Sequence, residues 1–111
     1  MIELKLPFPP TTNQIWRKFR GQMTLSPEYR EWKERAGWEL KSQHPKTMKS
    51  RAVIWVDLDD TRRGDCDNRM KPLLDLLVEH GVLAGDSKKY VERVSIGWSK
   101  ISECRVAISE A

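Results

Sequence analysis

The sequence predicts a small α/β (α+β) fold in which about two helices pack on a small mixed β-sheet. Several short segments alternate apolar and polar residues at the period of a strand, and two longer segments repeat apolar residues at the period of a helix. The two kinds of segment also alternate along the chain, which is typical of helices packed on a sheet. A length of 111 residues suits one domain, so residues 1–111 are predicted to form a single unit.

The first part of the chain predicts a strand, a possible hairpin and a helix. Residues 2–6 alternate strictly, and the prolines that follow would end this strand. Residues 11–25 are harder to assign, but residues 20–21 (Arg-Gly) fit the turn of a loose hairpin. Residues 26–28 combine a serine N-cap, a proline and an acid, so they predict a helix that runs to about residue 41 or 42.

The second part of the chain predicts three strands and one helix. Residues 51–58 alternate as a strand, and residues 68–80 have helical spacing with Gly81 as the C-terminal stop. Residues 90–98 and 103–109 also alternate, and their short connection predicts that they pair as a hairpin.

Composition limits the functional classes. The 20 lysine and arginine residues exceed the 16 acidic residues, and the net charge of +4 favours a polyanionic partner. No run of 18 apolar residues and no signal peptide is visible, so we expect no membrane association. Cys66 and Cys104 lack the C-x-x-C spacing of a metal site, and we interpret them as reduced thiols of a cytoplasmic protein.

Five tryptophans are many for this length, and two interpretations stay open. As large apolar side chains they would anchor the core or an interface. As flat aromatic surfaces they would stack on unpaired bases of a nucleic acid. The residues are Trp16, Trp32, Trp38, Trp55 and Trp98.

The stretch with most chemical information is residues 65–71 (DCDNRMK), followed by Asp86. If the chain is extended at its start, Asp65 and Asp67 project from the same face. If a helix begins at Asp67, this residue caps the helix and shares a face with Lys71, four residues later. Two carboxylates and one ammonium group would then converge at a helix N-terminus.

These residue types permit metal-dependent hydrolysis of a phosphodiester. Mg²⁺ prefers oxygen ligands and takes few carboxylates, so Asp65, Asp67 and Asp86 are a sufficient set of candidate ligands; Mn²⁺ accepts the same oxygens. Lys71 could neutralise charge on the phosphoryl group. The alternative is that the acids only cap a helix and solvate a loop, since a second D-x-D occurs at residues 57–59.

Basic residues cluster on both sides of these acids and are candidate DNA contacts. Phosphates would be attracted to such clusters, although most surface lysines are simply solvated. The candidates are Arg17, Lys18, Arg20, Arg62, Arg63, Arg69, Lys88 and Lys89.

Three features together resemble the RusA family of endodeoxyribonucleases. Residues 6–13 (LPFPPTTN) resemble the family's opening strand with its proline-rich turn. Residues 65–71, with Asp75 in the following helix, resemble its D-x-D-N-x-x-K motif, and residues 85–87 (Gly-Asp-Ser) stand where the family has a further catalytic aspartate. The resemblance spans nearly the whole chain. The chain departs from the family in Gly85 and in the short basic run at residues 62–63.

The resemblance implies a RusA-like fold and a nuclease that resolves Holliday junctions by paired symmetric nicks. It also implies that Asp65, Asp67 and Asp86 bind Mg²⁺ and that Lys71 is catalytic. A homodimer is implied as well, which suits a four-way junction because both have two-fold symmetry. Two other hypotheses remain: a non-catalytic module that binds branched DNA, and a structural protein whose acids act as caps.

Overall fold

The computed structural model describes all 111 residues and contains six strands and two helices. In chain order these are β1 (Ile2–Leu6), β2 (Trp16–Phe19), β3 (Gln22–Leu25), α1 (Pro27–Ser42), β4 (Ala52–Asp59), α2 (Met70–Glu79), β5 (Val91–Ser99) and β6 (Cys104–Glu110). The predicted fold class and the predicted order of elements are confirmed. Single turns of 3₁₀ helix at Thr12–Gln14 and Asp67–Arg69 complete the fold.

The main sheet has the strand order β1-β6-β4-β5, and β4 is parallel to β5 and antiparallel to β6. The predicted hairpin between the last two strands is therefore wrong. β4 lies between them, and their connection crosses the end of β4, where the Asp59 amide donates to the Glu103 carbonyl at 3.0 Å. Alternation identifies a strand but not its neighbour, and a buried strand such as β4 needs a partner on each edge.

The core lies between one face of this sheet and the two helices. Alternate residues of β4 point inward and are fully buried, as are three leucines on the inner face of α2. The most central of these side chains are Ile54, Val56, Leu58, Leu73, Leu76 and Leu77. Trp32 of α1 joins them and donates its indole N–H to the Pro7 carbonyl at 3.0 Å, which ties α1 to the end of β1.

The first helix begins at a side-chain cap, whereas the second has none. The Ser26 hydroxyl accepts a hydrogen bond from the Tyr29 amide at 3.1 Å, Pro27 is the first residue of α1, and the predicted end at residue 42 is confirmed. The second helix is shorter than predicted because its first residues form the 3₁₀ turn. Pro72 lies in the first turn of α2, where its missing N–H has no partner to lose.

Strands β2 and β3 form a separate two-stranded hairpin, as predicted. Its turn residues Arg20 and Gly21 both have positive φ, 50° and 77°, which makes a tight two-residue turn rather than a loose one. Every residue of β2 is exposed.

A position in the core is wrong for four of the five tryptophans, whereas an interface or a base-stacking role stays a prediction for these four. Only Trp32 is buried. The exposed ones are Trp16, Trp38, Trp55 and Trp98. No helix of this fold is long and apolar enough to cross a membrane.

Candidate active site

The candidate acids follow the end of β4, where a local turn redirects the chain. Asp59 accepts hydrogen bonds from the Thr61 hydroxyl at 2.7 Å and the Thr61 amide at 3.0 Å. These two bonds, helped by the Glu103 backbone and the Arg62 guanidinium, hold the pKa of Asp59 below its usual value. Asp59 is thus a structural carboxylate of the loop that leads to Asp65.

Asp65 and Asp67 flank an inward-facing Cys66. The Cys66 backbone is helical (φ −70°, ψ −32°), and its thiol lies 3.7 Å from the Ile96 carbonyl of β5. The predicted extended geometry at this position is therefore wrong, because Cys66 packs against the core and bends the chain. Asp65 and Asp67 are both exposed, and neither makes an ion pair or a side-chain hydrogen bond.

The predicted cap at Asp67 does not form, and Lys71 does not pair with Asp67. Asp67 lies in the 3₁₀ turn, and neither that turn nor α2 has a side-chain cap. Lys71 pairs instead with Asp75, one turn further along α2, at 3.2 Å. The lysine side chain remains largely exposed, and such exposed pairs are weak, so its ammonium group can exchange partners at little cost.

Asp86 lies in the segment that leads into β5, and it is exposed. Its neighbour Gly85 is packed against the Tyr90 ring, since a Cβ at Gly85 would lie 2.7 Å from a ring carbon. The Val91 amide donates to the Ser87 carbonyl at 2.9 Å, which fixes Asp86 beside the start of β5.

The three candidate acids do not form one cluster within a single chain. Asp86 lies beside Val91, whereas Cys66, between the other two acids, contacts Ile96, five residues further along β5. Five residues of strand span on the order of 16 Å. Accordingly, no group of three His, Cys, Asp or Glu side chains is close enough to hold a metal ion.

The donor chemistry at Asp65 and Asp67 nonetheless fits a hard cation. Both carboxylates are exposed and have no cation or donor to compete with a metal. Mg²⁺ commonly keeps several waters and binds through one or two carboxylates plus substrate phosphates. Two carboxylates are therefore a sufficient number of protein ligands for this ion.

The side chain of Arg69 is held by contacts that the sequence did not predict. Its guanidinium donates to the Pro9 carbonyl at 2.6 Å and to the Arg63 carbonyl at 3.0 Å, and it lies 4.5 Å from the centre of the Phe8 ring. Burial, with a contribution from nearby Arg62, lowers the pKa of Arg69. The side chain links the proline-rich turn to the loop before Asp65 and is not free to point into solvent.

Phe8 is the centre of an aromatic and cationic cluster. Its ring stacks on Trp98 with centroids 6.3 Å apart, and the Arg62 guanidinium lies 4.8 Å from its centre. Arg62 also pairs with Glu103 at 3.2 Å, and the same glutamate accepts the Phe8 amide at 2.6 Å. These contacts join residues 41 to 95 positions apart in sequence, and no local signal predicts them.

Three of the candidate DNA contacts line one cleft beside the D-x-D loop. It has a volume of about 350 Å³. Its lining consists of Phe8, Pro9, Pro10, Gln14, Glu28, Trp32, Arg62, Arg63 and Arg69. Of the three arginines in this cleft, only Arg63 makes neither an ion pair nor a side-chain hydrogen bond. Its guanidinium is therefore the most available to bind a phosphate.

The remaining candidate cations lie outside this cleft. Arg17, Lys18 and Arg20 are exposed on the β2–β3 hairpin, and Arg20 lies 5.3 Å from the Phe19 ring. Lys88 and Lys89 are exposed in the segment after Asp86, and Lys89 lies 5.3 Å from the Tyr90 ring. The cations therefore form three groups.

Comparison with known proteins assigns the family. The family model described as Endodeoxyribonuclease RusA matches residues 7–109. The crossover junction endodeoxyribonuclease rusA of Enterobacteria phage HK97 is 33% identical over 86 residues, which cover 75% of this chain and 72% of the relative. The crossover junction endodeoxyribonuclease RusA of Aquifex aeolicus (strain VF5) is 34% identical over 90 residues, covering 75% and 68%. The chain therefore belongs to the endodeoxyribonuclease RusA family.

Proposed function

We propose that this chain resolves four-way DNA junctions by metal-dependent hydrolysis, in paired symmetric nicks. The observation that carries the proposal is the pair of exposed, unpartnered carboxylates at Asp65 and Asp67, next to an arginine-lined cleft. That arrangement occurs in a chain whose relatives are named crossover junction endodeoxyribonucleases. Phosphate contacts would position the DNA, and branch geometry would provide the selectivity.

Asp65, Asp67 and Asp86 are the proposed ligands of Mg²⁺, with Mn²⁺ as a possible substitute. The bound ion would polarise a phosphodiester oxygen and lower the pKa of an attacking water. Asp65 and Asp67 form the core of the proposed site. Asp86 would join after movement of its loop or from a second copy of the chain, because no three such side chains of one chain are close enough to hold a metal ion.

Lys71 is the proposed electrostatic catalyst. Its ammonium group is exposed and bound only to Asp75 in a weak surface pair. When a phosphodiester approaches Asp67, Lys71 can leave Asp75 and neutralise the charge that develops on the phosphoryl oxygens. Asp75 would thus hold the lysine over the α2 surface in the free enzyme.

The active form is proposed to be a homodimer in the cytoplasm. A four-way junction and an isologous dimer share two-fold symmetry, so each subunit would cut one of two equivalent strands. Both cysteines are free thiols, which agrees with a reducing compartment.

A cleavage assay on a synthetic four-way junction and a matched linear duplex tests this function. We expect symmetric nicks in the junction alone with Mg²⁺ or Mn²⁺, and none with EDTA. Binding of the junction without a cut in either metal would contradict hydrolysis and favour a non-catalytic module for branched DNA. Equal binding of junction and duplex would contradict the proposed substrate.

A further inference from the structure

The β2–β3 hairpin presents aromatic and cationic side chains outside the catalytic region. Trp16, Phe19 and Met23 have 56%, 59% and 62% of their surface exposed. Arg17, Lys18 and Arg20 are also exposed, and residues 16–25 contain no acid. The hairpin hydrogen-bonds as its own two-stranded sheet, so these side chains are not needed to complete the main sheet.

The two aromatic residues lie on opposite faces of the hairpin. In the strand register Trp16 is opposite Leu25, and Phe19 is opposite Gln22. Because successive side chains alternate in a strand, residues 16 and 19 point to different sides. Each face of this thin element therefore offers one flat aromatic surface.

A groove lies on the Phe19 side, between the hairpin and the first turn of α1. Its volume is about 430 Å³, which falls in the range of about 300–1,000 Å³ typical of small-ligand sites. Arg17 and Arg30 both line it, and no acidic residue does. The complete lining is Arg17, Phe19, Thr24, Leu25, Pro27 and Arg30.

The turn places a cation at the hairpin tip at some conformational cost. Arg20 has φ of 50°, a left-handed conformation that is unfavourable for a residue other than glycine. Asparagine is the residue that such a two-residue turn prefers before glycine. A less favourable arginine at this position is consistent with a use for its charge.

We propose that this hairpin enters the branch point of DNA and that an unstacked nucleotide occupies the Phe19 groove. Its base would stack on Phe19, and Arg17 and Arg30 would contact the adjacent phosphates. Duplex DNA keeps its base faces covered, so only branched or unpaired DNA can fill the groove. The hairpin would therefore supply selectivity for branches that phosphate contacts alone cannot give.

Charge favours DNA over a second copy of the chain on this surface. In a two-fold contact, the same patch of each subunit faces its equivalent. Arg17, Lys18 and Arg20 would then approach their own copies without any acid of the hairpin to offset the repulsion.

This proposal rests on the proposed function, and binding in EDTA tests it without cleavage. The probes are a junction with 2-aminopurine at the branch point and a duplex with the same base at its centre. We expect wild type to change the fluorescence of the junction only. Phe19→Leu should abolish that change and lower the preference for junction over duplex about fivefold or more. Trp38→Leu, which removes an aromatic residue that is 72% exposed on α1, should leave both unchanged.

Arg20→Asn provides a second variant that keeps the hairpin folded, because Asn-Gly favours the same turn. We expect it to weaken junction binding and to reduce the slope of log affinity against log salt by about one.

The proposal is overturned if Phe19→Leu retains both the fluorescence change and the preference for the junction. It is also overturned if Phe19→Leu makes a DNA-free dimer dissociate, because a second copy would then occupy the hairpin. Both results leave junction resolution intact. If the wild-type protein binds junction and duplex equally well, that result would instead contradict the proposed function itself.

Discussion

Arg69 shows how a single side chain can set the position of the acidic motif. Its two hydrogen bonds to the Pro9 and Arg63 carbonyls join two segments that are 54 residues apart in the sequence. The Arg63 carbonyl lies two residues before Asp65, so the guanidinium restrains the loop from which that acid projects. We therefore regard Arg69 as a positioning residue more than a phosphate contact.

Arg69→Met should lower the free energy of unfolding by about 1–3 kcal/mol, because two charge-assisted hydrogen bonds are lost and their acceptors are left unpaired. Cleavage should also slow. Urea unfolding measures the first effect, with Arg35→Met as the control. Arg35 makes only an exposed pair with Glu39, so its loss should cost no more than about 1 kcal/mol. Equal costs for the two variants would contradict the structural role.

Lys71→Ala should slow turnover by orders of magnitude and change junction affinity much less, because its charge acts on the transition state. Single-turnover rates and binding titrations separate the two effects. Lys41→Ala is the control, since Lys41 is an exposed lysine in the last turn of α1. Equal losses in rate and affinity would make Lys71 only a phosphate contact.

At the scale of elements, the segment before β5 depends on the contact between Gly85 and the Tyr90 ring. This glycine is where the chain departs from the family pattern, and the structure gives a physical reason for it. Any side chain at residue 85 would displace the ring or the backbone that carries Asp86. The sequence alone could not indicate this, because the ring comes from the turn that follows.

Gly85→Ala should reduce cleavage, since its Cβ would lie 2.7 Å from the Tyr90 ring and move the Asp86 segment. Gly97→Ala is the matched control, because no atom lies within 4 Å of a Cβ at that position. Initial rates of junction cleavage compare the two variants. Full activity in Gly85→Ala would show that the Tyr90 contact does not position Asp86.

At the scale of the molecule, periodicity predicted the class of each element and its place in the chain. The N-cap at Ser26 and the turn at Arg20 were local signals, and both are confirmed. The strand order was not predictable, because no local signal says that β4 separates β5 from β6. The bend at Cys66 and the burial of Arg69 also depend on contacts with distant residues.

The family assignment confirms the resemblance and the endodeoxyribonuclease class. The roles of Asp65, Asp67, Lys71 and Asp86 remain predictions. They come from the motif; the fold exposes all four side chains but does not bring the three acids close enough to hold a metal ion.

The folded chain should lose stability at alkaline pH. Burial raises the pKa of Tyr29 and of Cys104 each to about 12, from ordinary values of 10.0 and 9.0. Both groups bind their proton more tightly in the folded state than in the unfolded state. Their contribution to the free energy of unfolding is therefore complete below about pH 9 and is lost as pH rises toward 12. The urea concentration at the midpoint of unfolding should fall as the pH is raised from about 8. The fall should be less steep in Cys104→Val. An unchanged midpoint up to about pH 11 would contradict the buried state of these groups.

The most direct test of the proposed metal site is Asp67→Asn, assayed for junction binding in EDTA and for cleavage in Mg²⁺. We predict near wild-type binding and a loss of cleavage by orders of magnitude, because an amide keeps the shape of the side chain but is a poor ligand for a hard cation. Asp60→Asn, in the same loop and also exposed, should cut normally. Cleavage by Asp67→Asn at close to the wild-type rate would remove this carboxylate from the mechanism and contradict the proposed metal site.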